Sequence, residues 1–304
     1  MGEFDFSGRV AVVTGAGRGL GRAYARLLAE RGARVVVNDV GVDLRGTGGD
    51  EGPAVTVAEE IRARGGEALP CTASVATPAG GREIIDTALD AFGRIDILIH
   101  NAGNVRRALL REMSHEDFDD VLDVHLRGAF HVLRPAFPRM CDSEYGRIVM
   151  TSSIGGLYGN RQVVNYCVSK AGLIGLSNAA ALEGADFNVK SNVIVPAAVT
   201  RMAEGLDTSH YPPMDPELVA PVVGWLVHEN CPVSGEMLIA LAGRVARAYV
   251  AETRGVYKSS WTIEEVAAEI DAIRDRSEPL VFPPVPSGFA DHLAHSFEMA
   301  RKGA

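Results

Sequence analysis

The sequence predicts a doubly wound α/β fold: a mostly parallel, seven-stranded sheet with helices on both faces, followed by a helical C-terminal extension. Two observations carry this expectation. Short β-branched runs alternate with longer segments of helical period, and a Gly-rich turn joins the first run to the first helix. Repeated strand-helix alternation calls for parallel strands joined by right-handed crossovers.

Arg9–Thr14 (RVAVVT) reads as the first strand, and Leu20–Arg31 as a helix stopped by Gly32. Arg34–Asn38 is the second strand, Val55–Arg64 a helix and Ala68–Thr72 a weak third strand. Gly81–Phe92 is helical and Ile95–His100 is the fourth strand. Residues 115–140 form a long helical stretch, with Leu126, Phe130, Leu133, Phe137 and Met140 on one stripe. Pro135 and Pro138 predict a kink or an early end there. Arg147–Met150, Val189–Val195 and Met237–Ala240 complete the strands, with helices over Val164–Asp186 and Leu218–His228.

A boundary near 245/246 separates the sheet domain, 1–245, from an extension, 246–304. In the extension, Thr262 and Glu265 have capping-box spacing, and Ile263, Val266, Ala267, Ile270 and Ile273 make an apolar stripe. Glu278–Pro286 is Pro-rich, and Ala290–Arg301 reads as a last helix. A lone amphipathic helix cannot bury its stripe, so the extension is expected to pack on the domain or on a partner subunit.

The 304 residues are 47% hydrophobic and 23% charged, enough for a large core and too apolar for global disorder. A net charge of −9 argues against sequence-general nucleic-acid binding, while leaving room for a local basic pocket for a phosphorylated substrate. Cys71, Cys141, Cys167 and Cys231 lack metal or disulfide spacing, and the remaining histidines form no metal motif. No apolar run reaches the ~18 residues of a spanning helix, so no membrane partner is expected. The N-terminus lacks a signal-peptide layout, and Arg301-Lys302-Gly303-Ala304 is not a peroxisomal address. The expected location is the cytoplasm.

The first strand leads into Thr14-Gly15-Ala16-Gly17-Arg18-Gly19-Leu20-Gly21, which fits T-G-x-x-x-G-x-G rather than G-x-G-x-x-G. Such a turn brings backbone N–H groups and a helix N-terminus to a pyrophosphate. Asp39, at the end of the second strand, suits the ribose hydroxyls and would repel the extra phosphate of NADP. Arg18 argues the other way, and the balance favours NAD.

Ser153, Tyr166 and Lys170 form the strongest signal. Tyr166 and Lys170 are i and i+4, on one helix face, and Ser153 follows the fifth strand at the carboxyl edge, where open α/β sheets bind ligands. A free tyrosine, with pKa about 10, is a poor base near neutrality. A neighbouring ammonium and a positive nicotinamide would lower it. Ser153 can hold a substrate oxygen in place.

With these pieces in view, the chain resembles the short-chain dehydrogenases/reductases over roughly 6–245. The motifs are TGAGRGLG (14–21), Asp39, NAG (101–103), Ser153/Tyr166/Lys170 and VPAAV (195–199). GRAYARLLAERGARVVVND (21–39), DAFGRID (90–96), VHLRGAF (124–130), YGRIVMTSS (145–153) and the tail after Gly243 resemble the (3R)-hydroxyacyl-CoA dehydrogenase branch found in type 2 peroxisomal multifunctional enzymes, also known as 17β-hydroxysteroid dehydrogenases. The resemblance implies a dimer or tetramer that oxidises a 3-hydroxyacyl-CoA, or a steroid-like alcohol, with NAD. It further implies that Gly15, Arg18, Gly19 and Leu20 line the pyrophosphate and that Asp39 takes the adenosine ribose. Asn101, Ala102 and Gly103 would flank the cofactor. Pro196, Val199 and Thr200 would meet the nicotinamide end, with Tyr166 and Lys170 beside its ribose.

Three departures stand out. His125 occupies a position where the wider family often has an Asn that holds a relay water; it reads either as part of a modified relay or as a core histidine. Ser74 and Val75 stand where an Asp often holds adenine. Ala197 replaces a frequent Gly, and Thr200 comes one place early. Residues 200–216 read either as a substrate lid or as a plain loop. Gly172, Gly175, Ala179, Ala180 and Ala181 read as a subunit face or as internal packing. Hydroxysteroid or polyol oxidation, and a dinucleotide-sensing scaffold without turnover, are the alternative functions.

Overall fold

The structure is a computed structural model, and it describes residues 4–41, 52–199 and 210–303. Its first compact unit, 1–247, is built on β1 (Val10–Thr14), α1 (Gly19–Glu30), β2 (Arg34–Asn38), α2 (Gly52–Ala63), β3 (Glu67–Cys71), α3 (Pro78–Phe92) and β4 (Ile97–His100). There follow α4 (His115–Leu122), a π turn (Asp123–Arg127), α5 (Gly128–Asp142), β5 (Gly146–Thr151), α6 (Ile154–Tyr158), α7 (Val164–Glu183), β6 (Val189–Ala197), α8 (Ala220–Val227) and β7 (Met237–Leu241). Strand β8 (Arg244–Ala248) closes the sheet.

The strands lie in the order β3-β2-β1-β4-β5-β6-β7-β8, parallel from β3 through β7. Strand order reverses between β1 and β4, so a cleft opens at their carboxyl ends. β1 and β4 are buried throughout, as strands covered on both faces must be, which explains their unbroken apolar runs.

The described sheet has eight strands, not the seven read from sequence. β8 was missed because its edge position leaves Arg244, Val245 and Arg247 exposed, so no apolar run marks it. The two-residue link Ala242-Gly243, both at positive φ, turns it back on β7.

The expected break at Pro135 and Pro138 is also corrected. Helix α5 runs through both to Asp142, and the irregular winding lies upstream, at 123–127. Val132, Leu133, Ala136 and Met140 are buried along α5, and that burial outweighs two missing N–H bonds.

The second unit, 248–304, contains α9 (Ile263–Ala268), α10 (Ile270–Ile273) and α11 (Gly288–Gly303). Thr262 and Glu265 make the reciprocal capping box, at 3.2 and 2.9 Å. The single helix expected over 263–273 is divided at Glu269.

At the amino edge, Asp96 is fully buried before β4. It accepts the Val10 N–H at 2.9 Å and pairs with Arg94 at 2.6 Å and Arg9 at 3.4 Å. Removing that carboxylate strands three donors. Asp96→Ala is expected to destabilise the fold by about 3 kcal/mol, read as a lower urea midpoint, with Asp96→Asn intermediate.

Candidate active site

Six strands, β1 to β6, deliver the site to one edge. After β1, Gly15 takes φ +64°, and a Cβ there would lie 2.7 Å from Ala102 Cα, so glycine lets the turn after β1 touch the turn after β4. Asn101 Nδ2 donates to Gly15 O at 3.0 Å and to Thr14 O at 3.3 Å, fastening the two. Arg18 is the N-cap residue of α1 and supplies no side-chain cap, whereas α3, α4 and α6 are capped by Thr77, Ser114 and Ser153. The first-turn N–H groups of Gly19, Leu20 and Gly21 therefore have no side-chain acceptor among the described residues, which suits a pyrophosphate.

Asp39, after β2, is brought to the same turn. Its Oδ2 accepts the Gly17 N–H at 2.9 Å and its Oδ1 the Gly41 N–H at 2.8 Å. Asn38, which sequence reasoning passed over, holds the strand-three end by donating to Cys71 O and Ala73 O. That places Ser74, whose hydroxyl accepts the Ala76 N–H, and Val75, whose side chain is buried and whose carbonyl binds His131, at the same edge. Pro196 lies in β6 opposite Ala240. Val199 follows β6, and its N–H donates to Met214 O at 2.8 Å. Thr200 and residues 201–209 of the segment read as a lid or a plain loop lie outside the described residues; 210–216 form a turn and the start of a short helix.

Ser153 caps α6, accepting the Gly155 N–H at 3.1 Å. Its hydroxyl also engages the Tyr166 phenol. Lys170, fully buried one turn beyond Tyr166, donates to Thr151 O at 2.5 Å, and its Nζ lies 5.5 Å from the Tyr166 ring centroid. Burial pulls Lys170 down to about 7 and pushes Tyr166 above its ordinary value, with Ser153 opposing that rise. The chain's own groups therefore do not depress the phenol as the sequence argument expected. Desolvation, which the sequence does not display, outweighs the Ser153 hydrogen bond, and the Lys170 ammonium is engaged by the Thr151 carbonyl.

The π turn carries His125 into the core. Its ring meets Tyr166 edge-on at 5.3 Å, and its Nε2 sits 2.9 Å from Asn104 O and 3.1 Å from Asn104 N. A Cβ on Gly103 would stand 2.3 Å from His125 Cε1, so only glycine fits there. Burial, then the charge of Lys170, drives His125 well below the imidazole range. It is therefore held neutral against the Tyr166 ring.

His100 and Thr14 form a link that motif reasoning did not reveal. Thr14 Oγ1 accepts the Asn101 and Ala102 N–H groups, both at 3.1 Å. Its own proton then points to His100 Nδ1 at 3.1 Å, which leaves His100 Nε2–H to donate to His125 O at 3.0 Å. The cofactor turn and the π turn are thus tied through one neutral imidazole. The only sequence signal was a histidine immediately before Asn101.

The chain belongs to the short-chain dehydrogenase family, whose model matches residues 9–209. It is an oxidoreductase acting on CH–OH groups with a nicotinamide dinucleotide. Among known proteins, the peroxisomal multifunctional enzyme type 2 of Drosophila melanogaster is 49% identical over 255 residues, covering 84% of this chain and 42% of that protein. A short-chain type dehydrogenase/reductase of Mycobacterium tuberculosis is 43% identical over 275 residues, covering 88% and 95%. The solved full-length Drosophila enzyme matches with a TM-score of 0.81 at 38% identity, over 98% of this chain and 50% of that one. A short chain dehydrogenase from Mycobacterium avium matches at 0.79 and 37%, over 92% and 98%. The chain therefore spans about half or less of the multifunctional enzyme and nearly all of the mycobacterial proteins.

Burial also sets an acid limit. His100 is pushed down to about 3 from the ordinary 6.5. As pH falls, the unfolded chain takes up this proton first, so the folded state loses stability between those values. Urea midpoints measured from pH 7 to pH 3 are expected to fall less steeply for His100→Gln than for the parent; equal slopes would contradict the neutral assignment.

Proposed function

We propose that the chain is an NAD-linked (3R)-hydroxyacyl-CoA dehydrogenase, converting a 3-hydroxyacyl thioester to the 3-oxo thioester. The observation that carries this is the gathering of Ser153, Tyr166 and Lys170 on the same carboxyl edge of the sheet as the uncapped N-terminus of α1, on a chain similar to the multifunctional enzymes along most of its length. Gly15, Asp39 and the α1 N–H groups fit a dinucleotide. NAD is favoured over NADP because Asp39, held by two backbone N–H groups, would face the added phosphate, while Arg18 has no fixed partner among the described residues to aim it there.

The dinucleotide, when bound, accepts the hydride. The chain's own residues move the proton. Tyr166 Oη, as phenolate, takes the hydroxyl proton of the substrate. Burial leaves the phenol above its ordinary value in the chain alone, so the charge favouring the phenolate would come from Lys170 together with the oxidised nicotinamide of the bound dinucleotide. Ser153 accepts from Gly155, so the proton it directs toward the Tyr166 phenol would turn to the substrate oxygen on binding and hold it beside Tyr166. His125 fixes the tyrosine ring edge-on.

An NADH-formation assay across hydroxyacyl-CoAs, hydroxysteroids and polyols, with NAD and NADP, tests the reading. The fastest turnover is expected with a 3-hydroxyacyl-CoA and NAD. Tyr166→Phe should lower kcat by roughly 10²–10⁴-fold while dinucleotide binding by calorimetry persists. Preference for a steroid would support the hydroxysteroid alternative, and absence of any turnover would support a sensing scaffold.

The same reading includes a homodimer or homotetramer. On α7, Val168, Ala171, Gly175, Ala179 and Leu182 form one exposed stripe, and nothing lies within 4 Å of a Cβ placed on Gly175. Gly172, by contrast, packs against Leu126 of its own chain, and Ala180 and Ala181 are buried. Internal packing thus takes half of the small residues and leaves the other half for a partner helix. Gly175→Trp is expected to shift the sedimentation coefficient toward the monomer.

A further inference from the structure

Resting on the hydroxyacyl-CoA reading, we infer that Arg107 and Arg161 form a cationic clamp at the mouth of the Ser153–Tyr166 site and take the phosphates of the substrate's CoA carrier. The two arginines lie on segments that are tied together. Ala108 pairs with Val163 in an isolated bridge, and the Ala108 N–H donates to Gln162 O at 2.9 Å. One segment leads out of β4 and the other leads from α6 into α7, so both border the edge that carries Ser153 and Tyr166.

The backbone on either side of Arg107 is held. Asn165, fully buried beside Tyr166, donates to Arg106 O at 3.3 Å and to Asp117 O at 2.9 Å. Arg106 itself is neutralised by Asp117 at 3.3 Å and Asp120 at 3.1 Å. Its neighbour Arg107 is exposed and makes no ion pair or hydrogen bond among the described residues, and the same is true of Arg161. Of two adjacent arginines, one is committed to the scaffold and the other stands free on a fixed backbone. Such a guanidinium loses little freedom on binding an anion, and its fork matches a phosphate. On a chain of net charge −9, two unpaired cations beside the catalytic edge also steer an anionic substrate toward it.

Apolar side chains share that edge. Leu110 is 74% exposed, three residues beyond Arg107, and Tyr158 is 78% exposed, three residues before Arg161. A ligand that suits both features carries a phosphorylated handle and a lipid chain together. A steroid or a polyol alone would leave the arginines without a role.

The test compares a 3-hydroxyacyl-CoA with the same acyl group on pantetheine, which lacks the phosphates. The parent chain is expected to favour the CoA thioester in kcat/KM by about tenfold or more. In Arg107→Ala/Arg161→Ala that ratio should fall toward one, and Arg107→Glu/Arg161→Glu should invert it. Raising salt should shrink the parent's ratio but not the variant's. A ratio unchanged by the substitutions overturns the clamp even where the CoA thioester is turned over. Turnover of neither thioester by the parent would instead overturn the hydroxyacyl reading on which the clamp rests. A dephospho-CoA thioester separates the ribose phosphate from the pyrophosphate: a ratio between the other two supports contact with both, and one no better than pantetheine assigns the clamp to the ribose phosphate.

Discussion

Lys170 donates to Thr151 O at the end of β5 from a fully buried position, and that hydrogen bond joins the catalytic helix to the sheet. Ser152 repeats the connection in reverse, its hydroxyl donating to Lys170 O at 2.7 Å. The two bonds fix the register of α7 on β5, and with it the position of Tyr166 one turn earlier. The burial that makes the lysine precise also weakens its charge, drawing it to about 7.

The π turn at 123–127 is the second constraint. A regular helix through this stretch would keep the His125 carbonyl within the helical ladder. The wider winding releases it to His100, while the imidazole of His125 reaches across to Asn104. Gly103 supplies the missing volume. The consequence is a continuous path from Thr14, through His100, to the ring that braces Tyr166. π bulges recur at functional sites because they aim side chains that a uniform helix cannot.

The grouping of Ser153, Tyr166 and Lys170 was legible in the sequence because it is local. Tyr166 and Lys170 are one helical turn apart, and the glycine turn sits between two strong elements. Seven strands were legible from hydrophobic runs that covered parallel strands enforce, while their order came from the structure. What escaped depends on distant partners. The prolines at 135 and 138 pointed to the wrong place for irregular winding, since the π turn answers to contacts with Gly103, Asn104 and His100 rather than to a breaker residue. Asn38, Asn165 and Thr14 looked like ordinary polar residues until folding placed loose carbonyls and N–H groups beside them. The rise in the Tyr166 pKa was equally invisible, since burial is a property of the assembled core.

The contrast between α1 and α6 shows how one sheet edge divides its chemistry. Both helices begin there, and each offers unpaired N–H groups. In α6 the first-turn N–H of Gly155 is satisfied by Ser153, which turns the hydroxyl proton outward as a donor. In α1 the N-cap position holds Arg18, whose side chain provides no acceptor, so the backbone N–H groups themselves remain the donors. On the proposed reading, a serine at the start of one helix would serve a single reacting oxygen, and its lack at the start of the other would leave room for a diphosphate. Exchanging the two caps would place an acceptor where an anion should bind and strip the reacting oxygen of its donor, so the two helix starts are not interchangeable even though both follow a parallel strand.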